Sequence, residues 1–319
     1  MVQIAVLDDY QGVALEIADW SEVAKRGQIT VFHDTIADQD ALAARLKPFE
    51  IVCAMRERTP FRRALLERLP NLKLLVTTGM RNASIDVAAC ADRGITVCGT
   101  EGLGYPTAEL TWALILAMSR RIPLEDRSMR EGGWQRTLGT GLNEKALGVI
   151  GLGKLGAQVA KVGLAFGMKV IAWSQNLTRE RAAEVGVGYV SSKEALITLS
   201  DIVTIHLVLS DRTRGLIGKK ELELMKPTAY LINTSRGPIV DEAALIDALQ
   251  GQRIGGAALD VYDQEPLPAD HPLRTFNNTV LSPHLGYVTA EGYAVFYAHV
   301  VEDVLAYLDG KPVRVIKAK

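Results

Sequence analysis

The chain has 319 residues, 48% hydrophobic and 23% charged, with a formal net charge of -1. That length suits two domains of ordinary size, and 36 Lys and Arg scattered among 37 Asp and Glu, with no basic arm, argue against a nucleic-acid partner. Cys53, Cys90 and Cys98 are odd in number and lack metal-ligand spacing, so neither a disulfide framework nor a metal site is expected, and no apolar run reaches the roughly 20 residues that cross a bilayer.

The chain opens directly on a strand, Val2-Gln3-Ile4-Ala5-Val6-Leu7, with no basic leader, which sets the expectation of a cytoplasmic protein. Short apolar strands at 4–7, 29–32, 51–54, 73–76 and 95–97 alternate with helical patterns, the signature of a parallel sheet with crossover helices. Two loops at strand ends, 55–59 with Arg56 and 77–82 with Gly79, Met80 and Arg81, carry polar groups where such sheets collect ligands, although a purely solvated role is the simpler alternative. Gly102, Gly104 and Pro106 punctuate the next stretch, where a hinge or domain crossing is expected, before helical runs at 107–119 and from Ile122 to about 130. Leu110, Ala113, Leu114, Ala117 and Met118 recur there at helical spacing and point to core or to a subunit contact.

A second alternating unit follows, with strands at 147–150, 170–173, 202–206, 229–233, 256–259 and 279–281, then a last helix at 293–308. The fold class expected is therefore α/β, two doubly wound parallel-sheet domains. One is a flavodoxin-like substrate domain built from 1–98 and 285–319, the other an inserted Rossmann dinucleotide-binding domain at 99–284.

The densest signal is Gly151-Leu152-Gly153-Lys154-Leu155-Gly156, entered straight from an apolar strand. Gly151 permits the tight turn, Gly153 lets backbone approach a pyrophosphate, and Gly156 allows close packing of helix on sheet. About 20 residues on, where an acidic residue would grip a ribose 2′-hydroxyl, stands Ser174. Gln175, Asn176, Thr178, Arg179 and Arg181 then supply neutral and cationic donors. This tilts the cofactor from NAD toward NADP, the alternative being a solvated loop that accepts either.

Three further segments follow strands and are richer than a fold requires: 233–242 (NTSRGPIVDE), 259–266 (LDVYDQEP) and 281–286 (LSPHLG). With GLGKLG at 151–156, NTSRGPIVDEAAL at 233–245, ALDVYDQEPLP at 258–268 and SPHLGY at 282–287, in that order and spacing, the chain resembles the D-isomer-specific 2-hydroxyacid dehydrogenase family over nearly its whole length. The resemblance implies a catalytic trio of Arg236, Glu265 and His284. Reducing a 2-oxo acid takes a hydride from nicotinamide and a proton for the new hydroxyl, and a histidine, ordinarily titrating near pH 6.5, suits the proton. A neighbouring carboxylate orients an imidazole and favours its charged form, the role implied for Glu265. Arg236 would grip the substrate carboxylate and carbonyl with a planar fork that lysine lacks.

The same resemblance implies cofactor contacts at Gly151, Gly153, Lys154, Leu155, Gly156, His206, Leu207, Thr213, Thr234, Ser235, Asp260 and Gly286, to which the residue reading adds Ser174, Gln175 and Asn176, where the chain departs from the family pattern. Of these, the His206 side chain is expected to be structural, with its backbone flanking the cofactor, and Asp260 to accept from the nicotinamide carboxamide. By the same resemblance the amides around Gly79 and Met80 complete the grip on the substrate carboxylate. Arg56 is a candidate contact by its strand-end loop alone, and Met80 and Arg81 stand where many relatives carry smaller or acidic residues, so Arg81 is expected to meet either a distal polar group of the substrate or only the surface. Glyoxylate and hydroxypyruvate are the first substrates it suggests. It also implies a homodimer through the helical region near 107–130, a small 2-oxo or 2-hydroxy acid partner, and no membrane partner. Two rivals remain: a formate- or phosphite-type dehydrogenase, disfavoured because formate enzymes carry glutamine in place of the glutamate, and a dinucleotide-sensing protein like the corepressors that resemble these enzymes.

Overall fold

The computed structural model describes residues 1–318. By its internal contacts the chain divides into two compact units, one made of Met1–Leu103 with the stretch from Thr289 onward, the other of Gly104–Val288.

Five strands form the sheet of the first unit: β1 (Val2–Val6), β2 (Gly27–Val31), β3 (Ile51–Ala54), β4 (Leu74–Thr77) and β5 (Thr96–Gly99). They pair in parallel in the order β2-β1-β3-β4-β5, the flavodoxin-like order, in which the winding reverses between β1 and β3. β3 and β4 are buried at every position, as strands covered on both faces are. Ala5, Leu7, Val52, Ala54, Leu75 and Val97 belong to one core. Helix Ala290–Leu308 packs on β4 and β5 and buries Phe296, Tyr297, Val300 and Val304. After the helix, Gly310 (φ +70) turns the chain back, and main chain at 314–316 runs antiparallel beside β5: Gly99 N–H donates to Arg314 O at 3.1 Å and Ile316 N–H to Val97 O at 2.8 Å.

The second unit adds seven strands: β6 (Ala146–Ile150), β7 (Lys169–Trp173), β8 (Gly188–Tyr189), β9 (Ile202–Ile205), β10 (Tyr230–Asn233), β11 (Gly256–Leu259) and β12 (Thr279–Leu281). All are parallel, in the order β12-β11-β10-β9-β6-β7-β8. β6 sits between β7 and β9, so the winding reverses at its carboxyl end, where a dinucleotide binds in doubly wound sheets. Period-two alternation sorts the strand residues between two cores. Ile202, Tyr230 and Ile232 join one with helices Pro106–Ser119 and Lys154–Ala165, while Val203, Ile205 and Leu231 join the other with helices Lys193–Leu199 and Glu242–Gln250. Burying each such aliphatic side chain stabilises by about 1.5–3 kcal/mol.

Strand positions expected from the sequence agree to within one or two residues, and the sequence reading passed over β8, too short to show a period. Pro106 is the first residue of helix Pro106–Ser119, a position where its missing N–H costs nothing. That helix turns Trp112, Leu114, Ile115 and Met118 into the core, whereas Leu110, Ala113 and Ala117 are partly or fully exposed.

Candidate active site

At the end of β6 each glycine has a distinct reason. Gly151 is left-handed (φ +98), and a β-carbon on it would lie 2.5 Å from the His206 carbonyl oxygen. On Gly156 it would lie 1.9 Å from the Gly151 carbonyl oxygen, whereas at Gly153 it would meet nothing within 4 Å. Gly153 thus leaves open space directly before helix Lys154–Ala165. The first amides of that helix, on Lys154, Leu155 and Gly156, donate to no described residue. Open backbone, free N–H donors and the positive end of a helix dipole fit a diphosphate. Leu155 packs on the core beneath, and the Lys154 ammonium lies against Gly104.

Beyond β7, a turn closes from Leu177 N–H to Ser174 O at 3.1 Å, leaving Gln175 and Asn176 exposed. Thr178 caps helix Arg179–Val185, and Arg181 pairs with Glu184 at 3.0 Å. The Arg179 guanidinium carbon instead stands 4.9 Å over the ring of Tyr189, which the ladder places beside Ala172 near the end of β7. His206 bonds Thr204 Oγ1 through Nε2 at 2.9 Å, and desolvation pushes its titration down to about 4, which favours the neutral ring. Leu207 packs on the second core. The Thr213 hydroxyl is spent within its own loop, donating to Val208 O at 2.8 Å and accepting from Ser210 N–H at 2.8 Å.

Arg236, Glu265 and His284 follow β10, β11 and β12, neighbouring strands, so all three belong to loops at one edge of the sheet. His284 Nδ1 lies 2.6 Å from Glu265 Oε2. Glu265 Oε1 in turn accepts from the Tyr262 N–H at 2.9 Å, and the imidazole packs edge-on to Tyr287 with centroids 5.6 Å apart. His284 itself is left-handed, φ +57, a costly conformation for a residue bearing a β-carbon.

Asp260, expected to accept from a nicotinamide carboxamide, is also tied into the loop that carries His284. Its buried carboxylate accepts from Ser282 Oγ at 2.6 Å, Leu285 N–H at 2.7 Å and Gly286 N–H at 2.9 Å, so it brackets the loop that carries His284 and its acceptor capacity is largely used there. Burial raises its titration, against the pull of those bonds. Thr234 bonds Thr111 Oγ1 at 2.8 Å, Ser235 Oγ donates to Ile205 O at 2.7 Å, and Arg236 Nη1 donates to Ser235 O at 2.6 Å. Gly286 O accepts from Thr107 Oγ1 at 2.8 Å. Thr107 and Thr111, one turn apart on helix Pro106–Ser119, therefore tie the two loops to one support. The sequence reading missed both, and the only signal was a pair of hydroxyls spaced by four on a helix.

In the first unit, Arg56 (φ +51) donates from its backbone N–H to Thr78 Oγ1 at 2.9 Å and from Nη1 to Thr78 O at 3.2 Å, which lays its guanidinium across Gly79. The Gly79 N–H donates to Thr100 Oγ1 at 2.8 Å. This corrects the expectation that the Gly79 amide is available to substrate: the amides left without a described partner are those of Met80 and Arg81. Both side chains are exposed, and Asn82 fixes the loop behind them through Arg56 O and Thr77 Oγ1.

Residues 112–286 match the family model described as D-isomer specific 2-hydroxyacid dehydrogenase, NAD binding domain. The chain is 44% identical over 257 residues to a glyoxylate reductase of Aeropyrum pernix, covering 77% of this chain and 76% of that one. It is 37% identical over 279 residues to a D-3-phosphoglycerate dehydrogenase of Archaeoglobus fulgidus, covering 86% of this chain but 53% of that one, so it spans about half the length of that relative. Among solved structures, a phosphoglycerate oxidoreductase from Vibrio cholerae superposes with a TM-score of 0.92 at 38% identity, covering 97% of this chain and 100% of that one. The chain belongs to the D-isomer specific 2-hydroxyacid dehydrogenase family.

Proposed function

We propose that this protein reduces a small 2-oxo acid to the D-2-hydroxy acid with a nicotinamide dinucleotide, and that glyoxylate or hydroxypyruvate is the substrate to try first. The observation that carries the reading is the 2.6 Å contact between His284 Nδ1 and Glu265 in a loop braced by Asp260. It commits Nδ1 to the carboxylate and leaves Nε2 to carry the proton given to the substrate oxygen. Glu265 fixes the ring and balances its charge. In the second unit Arg236 would bind the substrate carboxylate and carbonyl. In the first unit, taken by itself, the free amides of Met80 and Arg81 are donors suited to a carboxylate.

The open turn at Gly153 and the amides of Lys154, Leu155 and Gly156 would hold the diphosphate of the cofactor. A bound nicotinamide would supply the hydride. NADP is the favoured form. Ser174 removes the carboxylate that would repel a 2′-phosphate, and Arg179, braced on Tyr189 and beside Glu180, is the cation nearest in sequence to answer one. A homodimer is proposed as well, its interface drawing on the exposed face of helix Pro106–Ser119 and on exposed Ile122 and Met129.

The test is steady-state oxidation of NADPH and, separately, NADH against glyoxylate, hydroxypyruvate, pyruvate and longer 2-oxo acids, followed at the nicotinamide absorbance. Turnover with NADPH preferred supports the reading. An NADH preference overturns the Ser174 argument, and no turnover with any acid, while dinucleotide still binds, moves the protein to the sensing class.

A further inference from the structure

The stretch beyond helix Ala290–Leu308 is anchored far more firmly than an edge segment requires. Arg314 Nη1 lies 2.9 Å from Glu302 Oε2, Nη2 lies 3.1 Å from the fully buried Asp303 carboxylate, and Nη2 also donates to His299 O at 3.0 Å. Its own backbone is left-handed, φ +50, a conformation that a side-chain-bearing residue keeps only when its surroundings hold it. On either side of β5's last turn of ladder, the main chain at 314–316 pairs with Val97 and Gly99.

What this anchorage positions is visible at Gly99. A β-carbon there would lie 2.7 Å from Gly79 O, 3.2 Å from Met80 Cα and 2.8 Å from Ile316 Cδ1. The space left by one missing side chain therefore has the Gly79–Met80 backbone on one side and the Ile316 side chain on the other. Ile316 is partly buried and packs on the core of the unit. The same short loop is fixed by Thr100 at the Gly79 amide and by the Arg56 guanidinium across Gly79. The Ile316 side chain stands across the vacant Gly99 position from that loop.

We propose that Ile316, held in place by Arg314, is a positioning residue for substrate, setting the aim of the Met80 and Arg81 amides through Gly99. This rests on the reading of those amides as a carboxylate site. The leverage is large because displacing a bound reactant by about 1 Å can cost on the order of a hundredfold in rate. Ile316→Ala removes the packing atoms and lets the loop settle toward the space they leave. Arg314→Ala releases the same segment at its anchor, and Arg314→Lys restores a charge but not the fork.

The experiment compares Ile316→Ala, Arg314→Ala, Arg314→Lys and Gly99→Ala with wild type by 2-oxo acid KM, kcat, dinucleotide Kd from fluorescence titration, and Tm. Ile316→Ala and Arg314→Ala should raise the 2-oxo acid KM roughly tenfold, with dinucleotide Kd unchanged and Arg314→Lys intermediate. A lower Tm with unchanged KM, or a Kd that weakens in step with KM, overturns the proposal, since either describes general loosening. Gly99→Ala separates the two layers, because its methyl presses directly on Gly79 and Met80. If it raises KM while Ile316→Ala does not, the carboxylate site stands and the role of Ile316 falls; if neither moves KM, the carboxylate reading falls with it.

Discussion

At the scale of single residues, two carboxylates divide the work around His284. Glu265 meets the ring, and Asp260 holds the backbone that carries it through Ser282, Leu285 and Gly286. Asp260→Asn keeps the shape but turns an amide NH2 toward one of those donors, so one bond becomes a clash of donors. If His284 carries the proton as proposed, His284→Ala should cost about 10²–10⁴ in kcat. Asp260→Asn should cost about 10–10² through misplacement alone, with dinucleotide affinity within a few-fold of wild type. Wild-type kcat in Asp260→Asn would return that carboxylate to a direct contact with cofactor or to a role in packing.

At the scale of elements, the β6 turn and helix Lys154–Ala165 form one unit whose tolerance is set by Gly156. Its absent β-carbon is what lets the helix approach within contact of the Gly151 carbonyl. Gly156→Ala should swing the helix outward, destabilise by about 1–3 kcal/mol and weaken dinucleotide binding well beyond that loss of stability. A Tm drop with unaltered affinity, by titration, would separate the helix from the cofactor. This turn was legible in the sequence because three glycines after an apolar strand leave few other structures open. The His284–Glu265 pairing was legible only through motif order, since nothing in residues 260–286 alone says which carboxylate turns to the ring. Asp260 was read as a cofactor contact from its place in the motif order, and its further bonds to the loop at 282–286 are to backbone and hydroxyl groups that no residue pattern announces. The Gly79 amide was misjudged for the same reason: Thr100, 21 residues away, captures it through a side-chain oxygen.

For the whole molecule, buried titrating groups set opposing pH dependences. His206, pushed down to about 4, favours the fold at pH above about 6.5 and withdraws that support as pH falls toward 4. Asp303 behaves oppositely: burial raises it to about 7 despite Arg314, with Glu302 adding to the rise, so its contribution is full below about pH 4 and is lost as pH climbs through 7. The Tm advantage of wild type over Asp303→Asn should therefore shrink from pH 5 to pH 8. An advantage that grows with pH would mean that the Arg314 pairing outweighs burial. The left-handed backbone at His284 has a consequence of its own for how such a protein can change. Glycine would sit there with less strain, so selection for folding alone pulls position 284 away from histidine. On the proposed reading histidine is kept there for turnover, so a lineage freed from that demand would be free to drift at 284 toward a less strained residue.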